Sequence, residues 1–215
     1  RHGGMDGYQA AKMRIFQNQT EKDVAIIGFD DVITQSIAIG LSANGPARVV
    51  QASSTYALGR GVSAVDGRLY DSNSGQAQFV GNLSDCMALP GRHNHQNAAA
   101  AYAACRALGL DPQTIMDGIR TFPGLAHRLE MAGEIDGVKF VNDSKAANAE
   151  AAEQALKAYK KAYWIAGGVS KAEGIQPLAP LFPNITKAYL IGDSEETFAA
   201  TLKGKEALQT CGTLE

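Results

Sequence analysis

The sequence predicts an α/β protein of two domains, and three features of the chain support this prediction. In both halves of the 215 residues, short apolar runs alternate with segments of helical periodicity, which is typical of sheets whose strands are joined by helices. Residues 122–130 contain proline and glycine without a helical period, so they are predicted to be a connector. A fresh α/β pattern begins after this connector. We therefore expect one domain over residues 1–128 and another over residues 129–215.

The first domain is predicted to open with a helix over residues 6–19, where apolar side chains recur at helical spacing. The continuous apolar run at residues 24–28 is typical of a strand buried on both faces. Residues 61–89 alternate in short segments, and Asp66-Gly67 is a two-residue hairpin signal, so an antiparallel meander is expected at the domain edge. The other predicted elements are a helix over 31–40, a strand over 47–52, and helices over 98–108 and 112–121.

The second domain is predicted to hold about three βα units, which is fewer than a doubly wound sheet usually has, so we expect it to be truncated. Asp136-Gly137 is a turn signal between its first two apolar runs. The chain also starts with Arg1, which is not a natural first residue, and we expect it to be a fragment of a longer protein. The predicted elements are strands over 131–135, 138–141, 162–166 and 188–191, and helices over 149–158 and 195–202.

Composition excludes several classes of partner. The net charge is −2, so the chain lacks the basic footprint of a nucleic-acid-binding protein. No apolar run approaches the roughly 20 residues that a membrane-spanning helix needs. Cys86, Cys105 and Cys211 are scattered and odd in number, which is typical of free thiols in a reducing compartment. We therefore expect a cytoplasmic protein that binds neither nucleic acid nor membrane.

The stretch Asn142-Asp143-Ser144-Lys145 is the first candidate site. It follows an apolar run and precedes an alanine-rich helix, and ligands of open α/β sheets collect outside the carboxyl ends of the strands. A helix start with free N–H groups also suits anions. The alternative is a polar turn in which Asp143 or Ser144 only caps the helix.

Further candidates each have a structural alternative. Asn94 and Asn97 stand three apart at a helix start and share a face, where amides can bind a nucleotide, although Asn94 could instead be an N-cap. The pair His127-Arg128 in the connector can grip phosphate, or form a surface ion pair with Glu130. His93 and His95 do not match a closed zinc pattern.

Two lysines are also candidates. Lys12 lies among apolar neighbours at helical spacing, where a lysine either reaches to solvent or, when partly buried, acts chemically. Gly167-Gly168-Val169-Ser170-Lys171 follows a predicted strand, as phosphate- and carboxylate-binding loops often do. It is not a Walker A loop, because the G-x-x-x-x-G-K-[ST] pattern is absent.

Four stretches together resemble the Mur ligases, the ATP-dependent amide ligases of peptidoglycan synthesis. Residues 8–15 look like the family's helix with a carbamoylated lysine, and residues 91–98 look like its G-x-H-N-x-x-N box. Residues 124–130 and 142–146 are similar to the forms in members that add D-glutamate. The resemblance covers essentially the whole chain.

The resemblance implies the end of a P-loop-type central ATPase domain, followed by a truncated Rossmann-like C-terminal domain. It implies transfer of D-glutamate to UDP-N-acetylmuramoyl-L-alanine through an acyl phosphate, with ATP and Mg²⁺ as cofactors, in a monomeric enzyme. The family's ATP phosphate loop would lie upstream of Arg1, so this chain alone is expected to be inactive. The alternatives are a ligase with another acceptor amino acid and a non-catalytic nucleotide-binding fragment.

The resemblance also assigns roles to individual side chains. Carbamoylated Lys12 would be a Mg²⁺ ligand, and His127 and Lys145 would be catalytic. When the domains close, His127, Arg128 and Asp143 would reach the nucleotide. The ATP-binding residues would be Asn94, Asn97, Arg128 and Asp143, and the D-glutamate-binding residues would be Lys145 and Lys171.

One position departs from the family pattern. The D-glutamate-adding members usually have threonine where this chain has Ala147, and alanine cannot donate the hydroxyl hydrogen bond to the amino-acid carboxylate. A hydrogen bond to a charged group contributes roughly 1.5–3 kcal/mol, so weaker binding of D-glutamate is expected.

Overall fold

The computed structural model describes residues 3–169, 174–204 and 207–213. The chain forms two compact units, Arg1–Phe122 and Pro123–Glu215. Each unit has its own hydrophobic core. The prediction of a mixed α/β chain is confirmed.

The first unit is built on a five-stranded sheet. Its first three strands are parallel and its last two are antiparallel, in the order β1-β2-β3-β4-β5. Val65 and Arg68 pair across Asp66-Gly67, and both turn residues have positive φ (49° and 74°), so the predicted hairpin is confirmed. The strands are β1 (Val24–Gly28), β2 (Arg48–Ser53), β3 (Val62–Val65), β4 (Arg68–Asp71) and β5 (Gln78–Asn82).

The helices of the first unit begin and end at positions that partly differ from the predictions. They are α1 (Met5–Met13), α2 (Val32–Asn44), α3 (Arg92–Ala107) and α4 (Pro112–Thr121). The helix predicted over 6–19 ends at Met13 and continues only as a short 3₁₀ turn, and α1 has no buried residue that could stabilise a longer helix. Helix α2 passes through Gly40 and ends before Gly45, because the residue preceding Pro46 disfavours helical backbone.

Helix α3 begins earlier than predicted. Gly91 has φ 86° and directly precedes the helix, so Arg92 and the following polar residues form its first two turns. Apolar residues of α3 pack against the sheet, and Tyr102 is fully buried beside Leu69 and Met116 in one core. The polar start of α3 is therefore held by a helix whose later turns are anchored in the core.

The second unit contains a two-stranded hairpin and a three-stranded parallel sheet, with the latter in the order β10-β9-β8. The strands are β6 (Glu130–Ile135), β7 (Val138–Asn142), β8 (Ala162–Gly167), β9 (Ile185–Ile191) and β10 (Leu208–Thr210). The helices are α5 (Ala149–Ala158) and α6 (Glu195–Leu202), and a 3₁₀ segment spans Gln176–Asn184. Leu156, Leu178, Phe182, Leu190 and Leu202 form the centre of the core.

Strand β7 is present as predicted but does not join the parallel sheet. Asp136 and Gly137 both have positive φ (51° and 79°), and this turn directs β7 back along β6 in antiparallel pairing. Among the described residues, β7 pairs with no other strand. The polar stretch after it thus follows a hairpin rather than the carboxyl edge of a parallel sheet.

The connector belongs to the second unit in the structure. Leu129 is only 7% exposed, and its N–H donates to a carboxylate oxygen of Asp143 at 3.0 Å. The carbonyl oxygen of His127 accepts the N–H of Lys145 at 3.1 Å. These bonds tie the connector to the second compact unit, which begins at Pro123. No helix within the described ranges is long and apolar enough to cross a membrane.

Candidate functional site

The connector and the polar stretch after β7 form one hydrogen-bonded cluster on the second unit. The side chain of Asn142 lies 2.9 Å from Nδ1 of His127 and donates to Glu130 Oε2 at 3.2 Å. The backbone N–H of His127 donates to the same carboxylate oxygen at 2.8 Å. With the bonds from Leu129 to Asp143 and from Lys145 to His127, the cluster brings together the predicted residues His127, Arg128, Asp143 and Lys145.

The Asn142 amide determines which nitrogen of His127 carries the proton. Its Oδ1 accepts the N–H of Ser144 at 3.2 Å, so its Nδ2 faces His127 and donates. Nδ1 of a neutral His127 therefore accepts, and the proton lies on Nε2. His127 is exposed, so its Nε2–H is available to donate to a ligand oxygen.

His127 also adopts unusual backbone geometry. Its φ is 64°, and Leu129 has φ 46°, while a β-bridge joins Leu125 and Arg128. Left-handed backbone at a non-glycine residue costs about 1–3 kcal/mol and is concentrated at functional sites. Two hydrogen bonds hold this conformation: the His127 N–H donates to the Glu130 carboxylate, and the His127 carbonyl accepts the N–H of Lys145.

The capping interpretation of the polar stretch is wrong. Asn148 is the N-cap of α5, and its side chain accepts the N–H of Ala151 at 2.9 Å. Neither Asp143 nor Ser144 caps the helix, because the intervening turn, in which Ala146 donates to the Asp143 carbonyl at 2.8 Å, moves the helix start downstream. Asp143 is half-buried and Lys145 is exposed. Burial, and then the charge of Asp143, raise the pKa of Tyr159, so Asp143 also acts on that phenol.

Arg128 and Glu130 do not form the predicted surface ion pair. Arg128 is exposed, and it forms no salt bridge with any residue that the structure describes. Glu130 instead lies near His127, with 3.8 Å between Glu130 Oε2 and His127 Nδ1. This contact is an ion pair only when the His127 ring is protonated. The Arg128 guanidinium can therefore bind a phosphate without first breaking an ion pair within the described chain.

In the first unit, Asn94 and Asn97 lie in the first two turns of α3. Asn94 is half-buried and its Nδ2 donates to the carbonyl oxygen of Pro90 at 2.8 Å. Gly91 takes the cap position without a side-chain bond, so the interpretation of Asn94 as the N-cap is wrong. Asn97 is exposed. Burial lowers the pKa of His95, which keeps its ring neutral beside the amides.

A second polar cluster, which the sequence reasoning missed, lies at the carboxyl ends of β1 and β2. The carboxylate of Asp30 accepts the hydroxyl of Ser53 at 2.5 Å and the hydroxyl of Ser54 at 2.7 Å. The N–H groups of Ser54 and Thr55 also donate to it. Burial raises the pKa of Asp30, but these hydrogen bonds outweigh burial and lower it overall. The signal was present in the sequence, since polar residues directly follow two apolar strands.

Lys12 lies on α1 and is exposed, with its Nζ 5.4 Å from the centre of the Tyr8 ring. It contributes to a groove of about 410 Å³, whose lining includes Gly28 and Thr34. Lys12 therefore reaches to solvent in the structure, rather than being partly buried. Within the described ranges, no three or more His, Cys, Asp or Glu side chains are grouped to hold a metal ion.

The Gly167-Gly168 stretch lies where β8 ends. The N–H of Gly168 donates to the Ile191 carbonyl at 3.0 Å, and the buried Ser194 hydroxyl donates to the Gly168 carbonyl at 2.6 Å. A Cβ at Gly167 would overlap the Ile191 carbonyl oxygen, so the strand end requires glycine. Lys171, the predicted D-glutamate ligand in this loop, lies outside the described residues.

Comparisons with known proteins agree on one family. Residues 1–105 match the Mur ligase middle domain, and residues 127–214 match the Mur ligase glutamate ligase domain. The whole chain is 55% identical to the UDP-N-acetylmuramoylalanine--D-glutamate ligase of Caulobacter vibrioides, and covers 46% of that protein. It is 51% identical to the ligase of the same name from Rhodospirillum rubrum, again over its full length and over 45% of that protein. The chain thus spans about half the length of the curated relatives it matches.

Solved structures support the fold. MurF from Acinetobacter baumannii superposes with a TM-score of 0.63 at 21% identity, covering 99% of this chain and 47% of that one. The UDP-N-acetylmuramate-alanine ligase MurC from Thermotoga maritima superposes with a TM-score of 0.68 at 15% identity, with 99% and 47% coverage. The two domain matches together span nearly all residues in the order middle domain, then glutamate ligase domain. The chain belongs to the Mur ligase family.

Proposed function

We propose that the protein containing this chain is the ATP-dependent ligase that adds D-glutamate to UDP-N-acetylmuramoyl-L-alanine. One observation carries the proposal: the chain is 55% identical, over all of its 215 residues, to a ligase named for this reaction. In the proposed reaction, ATP phosphorylates the alanyl carboxylate. The amine of D-glutamate then attacks the acyl phosphate, and phosphate leaves.

Nucleotide binding is proposed for residues of both units. On α3, the exposed amide of Asn97 and the neighbouring Asn94 offer donors and acceptors for the nucleotide. On the second unit, the Arg128 guanidinium offers a fork of donors to a phosphate. Asp143, which Leu129 already holds by a hydrogen bond, offers a carboxylate to hydroxyl groups of the nucleotide. His127 presents its Nε2–H beside them.

The acceptor amino acid is proposed to bind at the 142–148 stretch. Lys145 is exposed, and its backbone is fixed by the bond to His127, so its ammonium can meet a carboxylate of D-glutamate. Lys171 is proposed to bind a carboxylate of the same molecule. The proposed attack of an uncharged amine also requires that water be kept from the acyl phosphate, which domain closure would provide.

Magnesium ions would neutralise charge on the phosphates when bound. Lys12 fits the role of one ligand, because its exposed Nζ is accessible to carbon dioxide and the resulting carbamate has oxygen donors, which a hard cation prefers. Lys12 is the metal ligand that we propose from this chain; the part of the chain that the structure describes holds no group of three or more His, Cys, Asp or Glu side chains suited to a metal ion.

A second candidate function rests on Ala147. Ala147 lacks the threonine hydroxyl that members adding D-glutamate usually have at this position. It is exposed in the proposed acceptor site. A Mur-type ligase with another acceptor amino acid would share the rest of the site. For the D-glutamate ligase, we also propose a cytoplasmic location and a monomeric state.

The test is release of phosphate from ATP by the full-length protein in the presence of UDP-N-acetylmuramoyl-L-alanine and a panel of amino acids. We expect release with D-glutamate and none with L-alanine, D-alanine or L-lysine. Release with another amino acid would replace the acceptor. Absence of release with every acceptor would leave a non-catalytic nucleotide-binding protein. The 215-residue chain alone is the control and is expected to be inactive.

A further inference from the structure

The carboxylate of Asp30 ties together the ends of two neighbouring strands. Asp30 follows β1, and its hydrogen-bond donors belong to Ser53, Ser54 and Thr55, which end and follow β2. Ser53 is fully buried and Ser54 is 5% exposed, so these bonds form where water competes little. The Ser53 hydroxyl also accepts the N–H of Tyr56 at 2.8 Å. One side chain therefore determines the backbone path after β2.

The start of α3 contacts the end of β2 and the segment after it at one point each. The Nη2 of Arg92 donates to the hydroxyl of Thr55. One turn later, Nε2 of Gln96 donates to the carbonyl oxygen of Ala52 at 3.3 Å. A Cβ at Gly28 would lie 3.1 Å from the same Gln96 nitrogen, so the helix approaches the strand end closely. The first two turns of α3 are thus anchored to the end of β2 through Gln96 and to the segment that Asp30 holds through Arg92.

We infer that Asp30 is a positioning residue for the amide pair Asn94 and Asn97, acting through Thr55 and Arg92 without touching the nucleotide. The inference rests on the proposed nucleotide-binding role of α3. Asn94 and Asn97 lie on the same two turns as Arg92 and Gln96, so a shift of the anchored segment moves both amides together. Small displacements of binding groups reduce binding strongly, because hydrogen bonds need good geometry.

The neighbouring Asp31 provides a matched control. It is also a carboxylate that accepts two backbone N–H groups and a hydroxyl, from Ile33 and Thr34. These bonds cap α2 rather than holding the segment after β2. Asp31→Asn and Asp30→Asn are therefore the same chemical change at adjacent positions, and only the second alters the anchor of α3.

The experiment compares Asp30→Asn, Thr55→Val, their combination and Asp31→Asn in the full-length protein. It measures KM for ATP, KM for D-glutamate and kcat, together with calorimetric binding of a non-hydrolysable ATP analogue. We expect Asp30→Asn to weaken ATP and analogue binding about tenfold, which corresponds to about 1.4 kcal/mol of binding lost through the displaced amides of Asn94 and Asn97. KM for D-glutamate should change less than about twofold, and Asp31→Asn should change neither value.

Thr55→Val tests whether the effect of Asp30 passes through the contact between Thr55 and Arg92. It also replaces Asp30→Asn as the test if that variant does not fold, because Thr55 is exposed and its substitution is less disruptive. It should weaken analogue binding in the same direction. The double variant should be no worse than Asp30→Asn, since both changes act on one chain of contacts. Equal binding in Asp30→Asn and Asp31→Asn, equal rises in both KM values, or additive effects would overturn the inference. Binding of the analogue does not require turnover, so an inactive wild-type protein would refute the proposed function without deciding this inference.

Discussion

Replacing Ala147 by threonine tests the acceptor assignment at the position where this chain departs from the family pattern. Ala147 is exposed and lies just before the N-cap Asn148, and its N–H donates to the Lys145 carbonyl at 2.9 Å. A β-branched side chain there meets no helical or core constraint. We therefore expect Ala147→Thr to place a hydroxyl beside Lys145 without disturbing the fold.

The magnitude follows from the bond that is gained. A hydrogen bond to a charged carboxylate contributes roughly 1.5–3 kcal/mol, and the lower half of that range is appropriate at an exposed site. Each 1.4 kcal/mol is about a tenfold change in an equilibrium constant, so KM for D-glutamate is expected to fall roughly 10- to 40-fold. KM for ATP should not change.

The assay is steady-state phosphate release by the full-length protein at varied D-glutamate. Ala147→Val is the matched control, because valine has the shape of threonine without the hydroxyl, and its KM should not fall. An Ala147→Thr KM equal to or higher than that of the native protein would refute the reasoning. An equal fall in Ala147→Val would show that shape, rather than the hydrogen bond, is responsible.

Three further predictions concern the stability of the structure. Gly167→Ala is expected to destabilise the second unit by roughly 1–3 kcal/mol in urea unfolding, because Gly167 has φ 155° and a Cβ there would overlap a carbonyl of β9. The control is Gly133→Ala, since a Cβ at Gly133 would lie in open space, and equal free energies of unfolding for the two variants would contradict the prediction. Asn148→Ala is expected to lower the free energy of unfolding by about 1 kcal/mol, because α5 loses its N-cap. Ser144→Ala should leave the free energy of unfolding nearly unchanged, and an equal loss in Ser144→Ala would contradict the assignment of Asn148 as the cap. The pKa of Asp30 is lowered in the folded state, so the stabilisation by its carboxylate is present at neutral pH and is lost as pH falls through that pKa. The difference in free energy of unfolding between the native protein and Asp30→Asn should therefore narrow below about pH 4. A difference that stays constant with pH would contradict this prediction.

Elements whose signals are local could be predicted from the sequence. The order strand, helix, strand over β1, α2 and β2 is typical of parallel strands, and β1 and β2 do pair in parallel, from Val24 with Arg48 onward. Asp66-Gly67 predicted a hairpin because both residues tolerate positive φ. Asp111 followed by proline predicted the start of α4, where Asp111 accepts the N–H of Thr114. In each case neighbours in sequence determine the structure.

Features that depend on one backbone torsion or on distant contacts could not be predicted in the same way. Helix α3 starts at Arg92 because Gly91 adopts a left-handed conformation, which the polar composition of the segment hides. Asn148, rather than Asp143 or Ser144, caps α5 because the turn between them uses its own backbone bonds.

The sequence suggested the residues of the candidate site, but it did not reveal the hydrogen bonds that join them. Asn142 contacts His127, the N–H of Lys145 donates to the His127 carbonyl, and the N–H of Leu129 donates to Asp143. These bonds join residues that lie well apart in the chain, so no local pattern reveals them. The cluster around Asp30 joins residues more than 20 positions apart, with separations of 23 to 25 between donors and acceptor. Only the folded sheet brings those groups together.

The central claim is that the protein joins D-glutamate to UDP-N-acetylmuramoyl-L-alanine. Mass spectrometry of the nucleotide product after incubation of the full-length protein with ATP, UDP-N-acetylmuramoyl-L-alanine and D-glutamate tests it most directly. The account predicts a product heavier by one glutamyl residue, formed with D-glutamate and not with L-glutamate, and absent without ATP. An unchanged nucleotide, or a product carrying a different amino acid from a mixed pool, would contradict it.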